Sequence, residues 1–261
     1  MYSRFFFNEG SGLTITDQGN AIGDITLAGS AGAAWSTNAG WFTPAEENTY
    51  TQNNAELDDL FDLNQGGGLL FLFNCTMTTA QTATRTIFTW GGSGSQGYIK
   101  IVQPTSNRFT ASIRMTGGAS TELSLTSSTD TKYLNSNSTN FVVALSIDVS
   151  MDYPCATLAI IFPDAADSAT GASLSAEAPL KIDGTAWPSI ANGNCAFYLF
   201  RNHSDEGLNP LGTEGLRVRD IVIKRYEASD NLYQLRGRIS GEMLSDYVPY
   251  NELYLGNYTN G

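Results

Sequence analysis

Lysine is nearly missing from this chain. Lys100, Lys132, Lys181 and Lys224 are the only four in 261 residues, and His203 is the only histidine. Lys and Arg total 14 against 26 Asp and Glu, for a formal net charge of −12. A nucleic-acid binder concentrates Lys and Arg on one face to track phosphates, so this balance argues against nucleic acid as a partner. Arg217, Arg219, Lys224 and Arg225 do cluster, as do Arg236 and Arg238. Asp220 and Glu227 interrupt the first group, which reads as the solvated side of a strand.

Cysteine is scarce as well. Cys75, Cys155 and Cys195 are an odd number, widely spaced, each in or beside an apolar run. That excludes a disulfide framework and a C-x-x-C metal site, and buried free thiols are expected. One pair could still bond if the mature protein lies outside a cell. No apolar run approaches the roughly 18 residues that span a bilayer, so no membrane insertion is expected; Leu69–Phe73, Phe141–Leu145 and Leu158–Phe162 are strand-length. Strand signals begin at Arg4, which leaves no place after Met1 for an export leader. The Asn-x-Ser/Thr triplets at Asn74, Asn137, Asn202 and Asn257 then read as chance in a chain rich in those residues.

What is present is a period of two. Phe109, Ala111 and Ile113 alternate with Arg108, Thr110, Ser112 and Arg114, and Phe141, Val143, Leu145, Ile147 and Val149 alternate with smaller or polar partners. Successive strand side chains point to opposite faces, so each run is a half-buried strand. Gly117-Gly118 then predicts a hairpin turn leading into Leu123-Ser124-Leu125. The continuous runs Leu69–Phe73 and Ala156–Phe162 suit strands covered on both faces. Further strands are expected at Thr86–Trp90, Tyr98–Val102, Cys195–Phe200 and Leu216–Tyr226. In the last, inward parity moves from Leu216/Val218 to Ile221/Ile223, which predicts a β-bulge near Arg219-Asp220. The one helix-like patch is Ala55–Leu63, ended by Gly66-Gly67-Gly68. About a dozen strands without a linker or fixed-period repeat predict an all-β, two-sheet antiparallel jelly-roll sandwich.

These segments resemble the laminin-G-like, or concanavalin A-like, jelly-roll family. Phe7–Gly12 with Thr14–Asn20 looks like its first hairpin, and Gly68–Phe73 and Thr86–Gly92 resemble its early core strands. Phe141–Val149 with Cys155–Phe162 resembles its central pair, and Gly215–Ile223 the penultimate strand that returns to the start. The likeness covers about residues 3–235. We therefore divide the chain into a sandwich at 1–235 and a tyrosine-rich tail or arm at 236–261. The resemblance implies binding of glycans or proteins, and in many members a calcium ion at a loop edge. Asp17, Asp58, Asp59, Asp62, Asp205 and Glu206 lack the alternating ligand spacing of a calcium loop, so no metal and no other cofactor is expected.

Catalytic signatures are missing too. Some enzymes on this fold carry Glu-x-Asp-x-x-Glu; the nearest stretches, Glu56–Phe61 and Asp148–Asp152, each lack an element. Any Ser–His or Cys–His system would run through His203, which sits in a polar loop. The Gly-rich segments lack the Gly-Lys-Ser/Thr ending of a phosphate-binding loop. The chain reads as a non-enzyme.

Two sets of residues carry the binding expectation. Trp35, Trp41 and Trp90 lie in or near strands and read as core, whereas Trp187 lies in a loop and is the candidate sugar-stacking ring, with Asn192 and Asn202 as hydrogen-bond partners. Tyr247, Tyr250, Tyr254 and Tyr258 form the candidate partner contact in the tail. That tail either folds back on its own sandwich or packs on a neighbouring subunit. The expected function is a structural or surface-binding module on a virion, as a bacteriophage capsid decoration or tail-associated protein, contacting other virion proteins or itself. The alternative is a secreted or cell-surface lectin-like protein that binds glycan.

Overall fold

A computed structural model describes residues 2–27, 50–52, 67–77, 84–91, 97–105, 108–114, 120–126, 140–149, 155–161, 174–180, 196–201 and 216–226. Strands dominate them, and no helix among them is long and apolar enough to cross a membrane. In chain order the strands are β1 (Tyr2–Phe6), β2 (Thr14–Ile15), β3 (Ile25–Thr26), β4 (Tyr50–Gln52), β5 (Gly68–Met77), β6 (Arg85–Gly91) and β7 (Tyr98–Thr105). They continue as β8 (Arg108–Arg114), β9 (Ser120–Thr126), β10 (Asn140–Asp148), β11 (Cys155–Ile161), β12 (Leu174–Pro179), β13 (Ala196–Leu199) and β14 (Leu216–Tyr226). One sheet has the order β1-β14-β5-β10-β11-β12, the other β4-β13-β6-β7-β8-β9, and β2-β3 is a small separate ladder.

The expected strands are in place. β10 pairs with β11 and β5, β14 returns to pair with β1, and β8 pairs with β9 from Arg108↔Thr126 to Arg114↔Ser120. The register of β14 on β5 shifts between Val218 and Asp220, the predicted bulge, and it keeps Leu216, Val218, Ile221 and Ile223 all in the core. That bulge also scatters the basic cluster, so the expected solvated strand side is not formed as a unit. Arg219 is exposed, while Arg217, Lys224 and Arg225 are half-buried.

Between the sheets lies an aromatic core. The Phe88 ring on β6 sits 4.8 Å from Phe71 and 6.1 Å from Phe73 on β5, and 5.3 Å from Phe197 on β13. Phe109 meets Phe141 across the layers at 5.7 Å. Such tilted pairs contribute about 0.5–1.5 kcal/mol each beyond the area they bury. Trp90 is 1% exposed in this core, as its place in a strand predicts. Thr121 Oγ1 on β9 donates to the carbonyl of Pro179 on β12 at 3.2 Å and ties the sheets together at one side.

The opening segment departs from a simple hairpin. β1 takes its ladder from β14, and the chain returning along its other edge makes a single bridge, Phe5↔Asp17. The reason is a side chain. Asp17, 3% exposed, accepts from Ser3 Oγ (2.6 Å) and from the backbone N–H of Arg4 (2.9 Å), Gly19 (2.9 Å), Ile22 (3.1 Å) and Gly23 (2.9 Å). Its own N–H donates to Asp24 Oδ1 at 2.9 Å. Gly19 packs against the Tyr2 carbonyl where a Cβ would collide, and Gly23 adopts φ +86°. Glycine meets both demands without cost to the turn. The carboxylate thus occupies an edge that would otherwise be open to strand addition.

Cys75 is a free, fully buried thiol, as expected, whereas Cys155 is only half-buried on β11. Burial pushes the Cys75 thiol well above its ordinary value because the thiolate would be desolvated. The cover on both faces expected of the continuous apolar runs holds unevenly. β5 is buried on both faces, whereas on β11 Ala156, Leu158 and Ile160 face the core and Thr157 and Ala159 are only half-buried. The helix-like patch 55–63, Trp35, Trp41 and Cys195 lie outside the described residues.

Replacing Asp17 by Ala leaves several buried donors unmet and is expected to lower unfolding stability by about 3 kcal/mol. Urea denaturation checks this as a lower midpoint at unchanged slope. Alkylation of the native protein at pH 8, read by peptide mass, is expected to label Cys155 well before Cys75, with both reacting after unfolding.

Candidate functional site

Strand alternation sorts the chemistry of the second sheet. Ile99, Ile101, Phe109, Ala111, Ile113 and Leu123 face the core, so the residues between them face away from it. The antiparallel registers bring Tyr198, Thr89, Lys100, Ser112 and Glu122 into one cross-strand row over five adjacent strands. At a strand spacing of about 4.8 Å the row runs for roughly 19 Å. Beside it Tyr98 pairs with Arg114 and then Ser120, and on the other side Val102 pairs with Thr110 and then Ser124.

Exposure rises across this face. Thr89 and Tyr198 are buried at 2% and 6%. Lys100, Thr110 and Arg114 are half-buried, and Arg108, Glu122 and Ser124 are exposed. Arg108 Nε donates to Ser124 Oγ at 2.8 Å, and Ser124 lies 3.4 Å from Thr110 Oγ1. At the buried end the Arg201 guanidinium lies 5.4 Å over the Tyr198 ring. The Thr89 hydroxyl, on the same row, is buried without a hydrogen-bond partner. Buried hydroxyls are normally satisfied, so Thr89 is a polar group in want of a complement.

Arg4, Arg217, Arg219, Lys224 and Arg225 belong to β1 and β14 of the first sheet, while the outer face of the second sheet carries Lys100, Arg108 and Arg114. Such a surface, with hydroxyls, guanidinium and ammonium groups and aromatic rings in register, can hydrogen-bond a polyhydroxylated ligand or attract an anionic one.

Carboxylates, in contrast, are tied into the framework. Asp17 meets five donors, so its oxygens face N–H and O–H groups and not a cation. Asp220 holds Arg4 Nη2 at 3.2 Å, and Glu9 Oε1 accepts from the Thr16 N–H at 3.1 Å. Among the described residues no group of three or more His, Cys, Asp and Glu could hold a metal ion. On the row above, Glu122 is the one acid.

The ligand and partner residues singled out by the sequence are not among those described. Trp187, Asn192, Asn202, His203, Tyr247, Tyr250, Tyr254 and Tyr258 lie outside the described residues, as do Asp58, Asp59, Asp62, Asp205 and Glu206. The cross-strand row was missed because alternation in one strand says which residues face out, not which strand lies beside it.

This order and pairing define a two-sheet antiparallel jelly-roll sandwich of the concanavalin A-like class. Among solved structures, the binding domain of botulinum neurotoxin serotype G aligns with a TM-score of 0.56 at 12% identity, covering 92% of this chain and 50% of that one. The receptor binding domain of the botulinum neurotoxin C/D mosaic serotype aligns at 0.55 and 12% identity, over 91% and 52%. The binding domain of botulinum neurotoxin DC in complex with SialylT aligns at 0.54 and 10% identity, over 90% and 52%. This chain spans about half the length of those domains, and at such identities the likeness is one of fold. No protein-family profile and no curated protein matches the sequence.

Proposed function

We propose that this protein is a non-catalytic binding module whose ligand surface is the outer face of β7, β8 and β9. The observation that carries the reading is the register of Lys100, Ser112 and Glu122 on one polar, cation-bearing sheet face. A flat array of hydroxyls and cations suits a glycan. A retaining glycosidase needs two carboxyl groups about 5–5.5 Å apart, whereas Glu122 is here surrounded by Ser112, Ser120 and Ser124. The solved structures that share the fold are described as binding domains, which supports the same coarse reading.

The setting belongs to this proposal. We take the module to act at the surface of a virus particle, as a capsid decoration or tail-associated protein that meets other virion proteins or a cell-surface glycan. The second reading is an extracellular lectin-like protein, which shares the glycan surface and differs in where the chain is delivered.

A glycan array probed with the full chain, and co-sedimentation with isolated phage particles, test the two halves. Lys100→Ala is expected to weaken binding of an array ligand about ten-fold, equivalent to about 1.4 kcal/mol. Unchanged binding by Lys100→Ala would move the site off this face. Turnover of a polysaccharide, abolished by Glu122→Gln, would overturn the non-catalytic reading.

A further inference from the structure

On the outer face of the second sheet, strand register sets the spacing of the charged groups. Arg108 and Arg114 are the two ends of β8, and because Phe109, Ala111 and Ile113 point into the core, both lie on its outward side. At about 3.4 Å per residue they are roughly 20 Å apart along one strand. Lys100 pairs with Ser112 from the β7 side, which puts it diagonally beside Arg114, about 7–8 Å away. Glu122 pairs with Ser112 from the β9 side and is the one acid among the described outward residues of β7, β8 and β9. On a chain of net charge −12, three cations and one carboxylate thus share this strip. Arg108 is exposed, and its Nε donates to Ser124 Oγ at 2.8 Å. That bond steadies the guanidinium. Its two terminal nitrogens, the fork that grips a carboxylate or sulfate with parallel bonds, carry no bond among the described residues.

We propose, resting on the ligand face of the preceding subsection, that its ligand is a linear polyanionic glycan lying along β8. Lys100 and Arg114 meet its anionic groups at one end, and Arg108 meets them about 20 Å away at the other. Between these cations lie Thr110 and Ser112 on β8, with Ser124 beside them on β9. Their hydroxyls can exchange hydrogen bonds with those of a sugar. Charge selects the class. A neutral glycan would use the hydroxyls and desolvate two guanidinium groups and an ammonium without a counter-charge, which is costly. Anionic groups recurring along the chain supply a counter-charge at both ends. Length follows from the spacing, because a fragment too short to reach from Arg114 to Arg108 loses the second, intramolecular contact. Nucleic acid is also a polyanion, but its affinity comes from many phosphate contacts, more than three cations supply.

Calorimetry of the full chain with polygalacturonate and with dextran sulfate tests this, each against its neutral counterpart (fully methyl-esterified polygalacturonate and dextran). At least one polyanion is expected to bind and both neutral polymers to fail, with binding lost at about 1 M salt, where the Debye length is about 3 Å. The matching disaccharide is expected to bind at least about ten-fold more weakly at equal sugar concentration. Arg108→Gln, a surface change, is expected to weaken polymer binding about five-fold, and Glu122→Gln to tighten it about two-fold. A neutral-sugar site would instead lose an acceptor with Glu122→Gln and weaken. Salt-independent binding of a neutral polymer, weakened by Lys100→Ala, would overturn the polyanion and spare the ligand face. Polyanion binding that Lys100→Ala, Arg108→Gln and Arg114→Gln all leave unchanged would overturn both. No binding of either polyanion, or equally tight binding of single-stranded poly(dT), would also overturn the proposal, and the glycan array then decides the face by itself.

Discussion

The contact of Phe88 with Phe71, Phe73 and Phe197 sets the rest of the molecule. It fixes which face of β5 and β6 looks inward, and strand geometry then leaves no freedom for the alternate residues. Once Phe71 and Phe73 face the second sheet, Leu70 and Leu72 must face away. Once Phe88 and Trp90 face the first sheet, Thr89 must join the outer row. A one-residue slip of β6 would put Thr89 in the core and turn Phe88 and Trp90 outward, and a slip of β5 would exchange Phe71 and Phe73 for Leu70 and Leu72. The aromatic layer therefore determines the chemistry of both outer surfaces, although none of its rings reaches them.

A second constraint acts at the sheet edge. β1 has β14 on one side and would present open backbone groups on the other. Asp17 prevents this by drawing Arg4, Ser3 and the 19–23 turn onto one buried carboxylate. Gln18 and Ala21 donate their N–H groups to the carbonyls of Arg4 and Tyr2 and complete the cover. A carboxylate is suited to this place because each oxygen can accept several bonds, and charge-assisted bonds to backbone N–H are strong. The Arg4–Asp220 ion pair, with Arg4 also 4.2 Å over the Phe6 ring, fastens the same strand to β14 near its bulge.

The two outer faces divide the work of the fold. That of the first sheet is apolar at its centre and buried, and that of the second is polar and increasingly exposed from β7 to β9. The second sheet's outer face holds Lys100, Arg108 and Arg114 on a chain of net charge −12. Local sign, more than net charge, decides what approaches a given face.

The strands were legible in the chain because alternation is a local stereochemical property. Phe109-Thr110-Ala111-Ser112-Ile113 can bury one side only as a strand, and the change of parity from Val218 to Ile221 required the bulge that β14 contains. The scarcity of lysine and the missing acidic signature likewise narrowed the chemistry before any fold was in hand. Trp187, Asn192, Asn202 and the four tail tyrosines were chosen by residue type alone, and none of them lies among the described residues. The sequence by itself determined the strands, their inward faces and the class of fold. Only the tertiary structure decided that Thr89, Lys100, Ser112 and Glu122 share a row, and that Asp17 holds an edge. Those facts depend on register between strands distant in sequence, and register is set by how whole side-chain layers fit, not by any one segment.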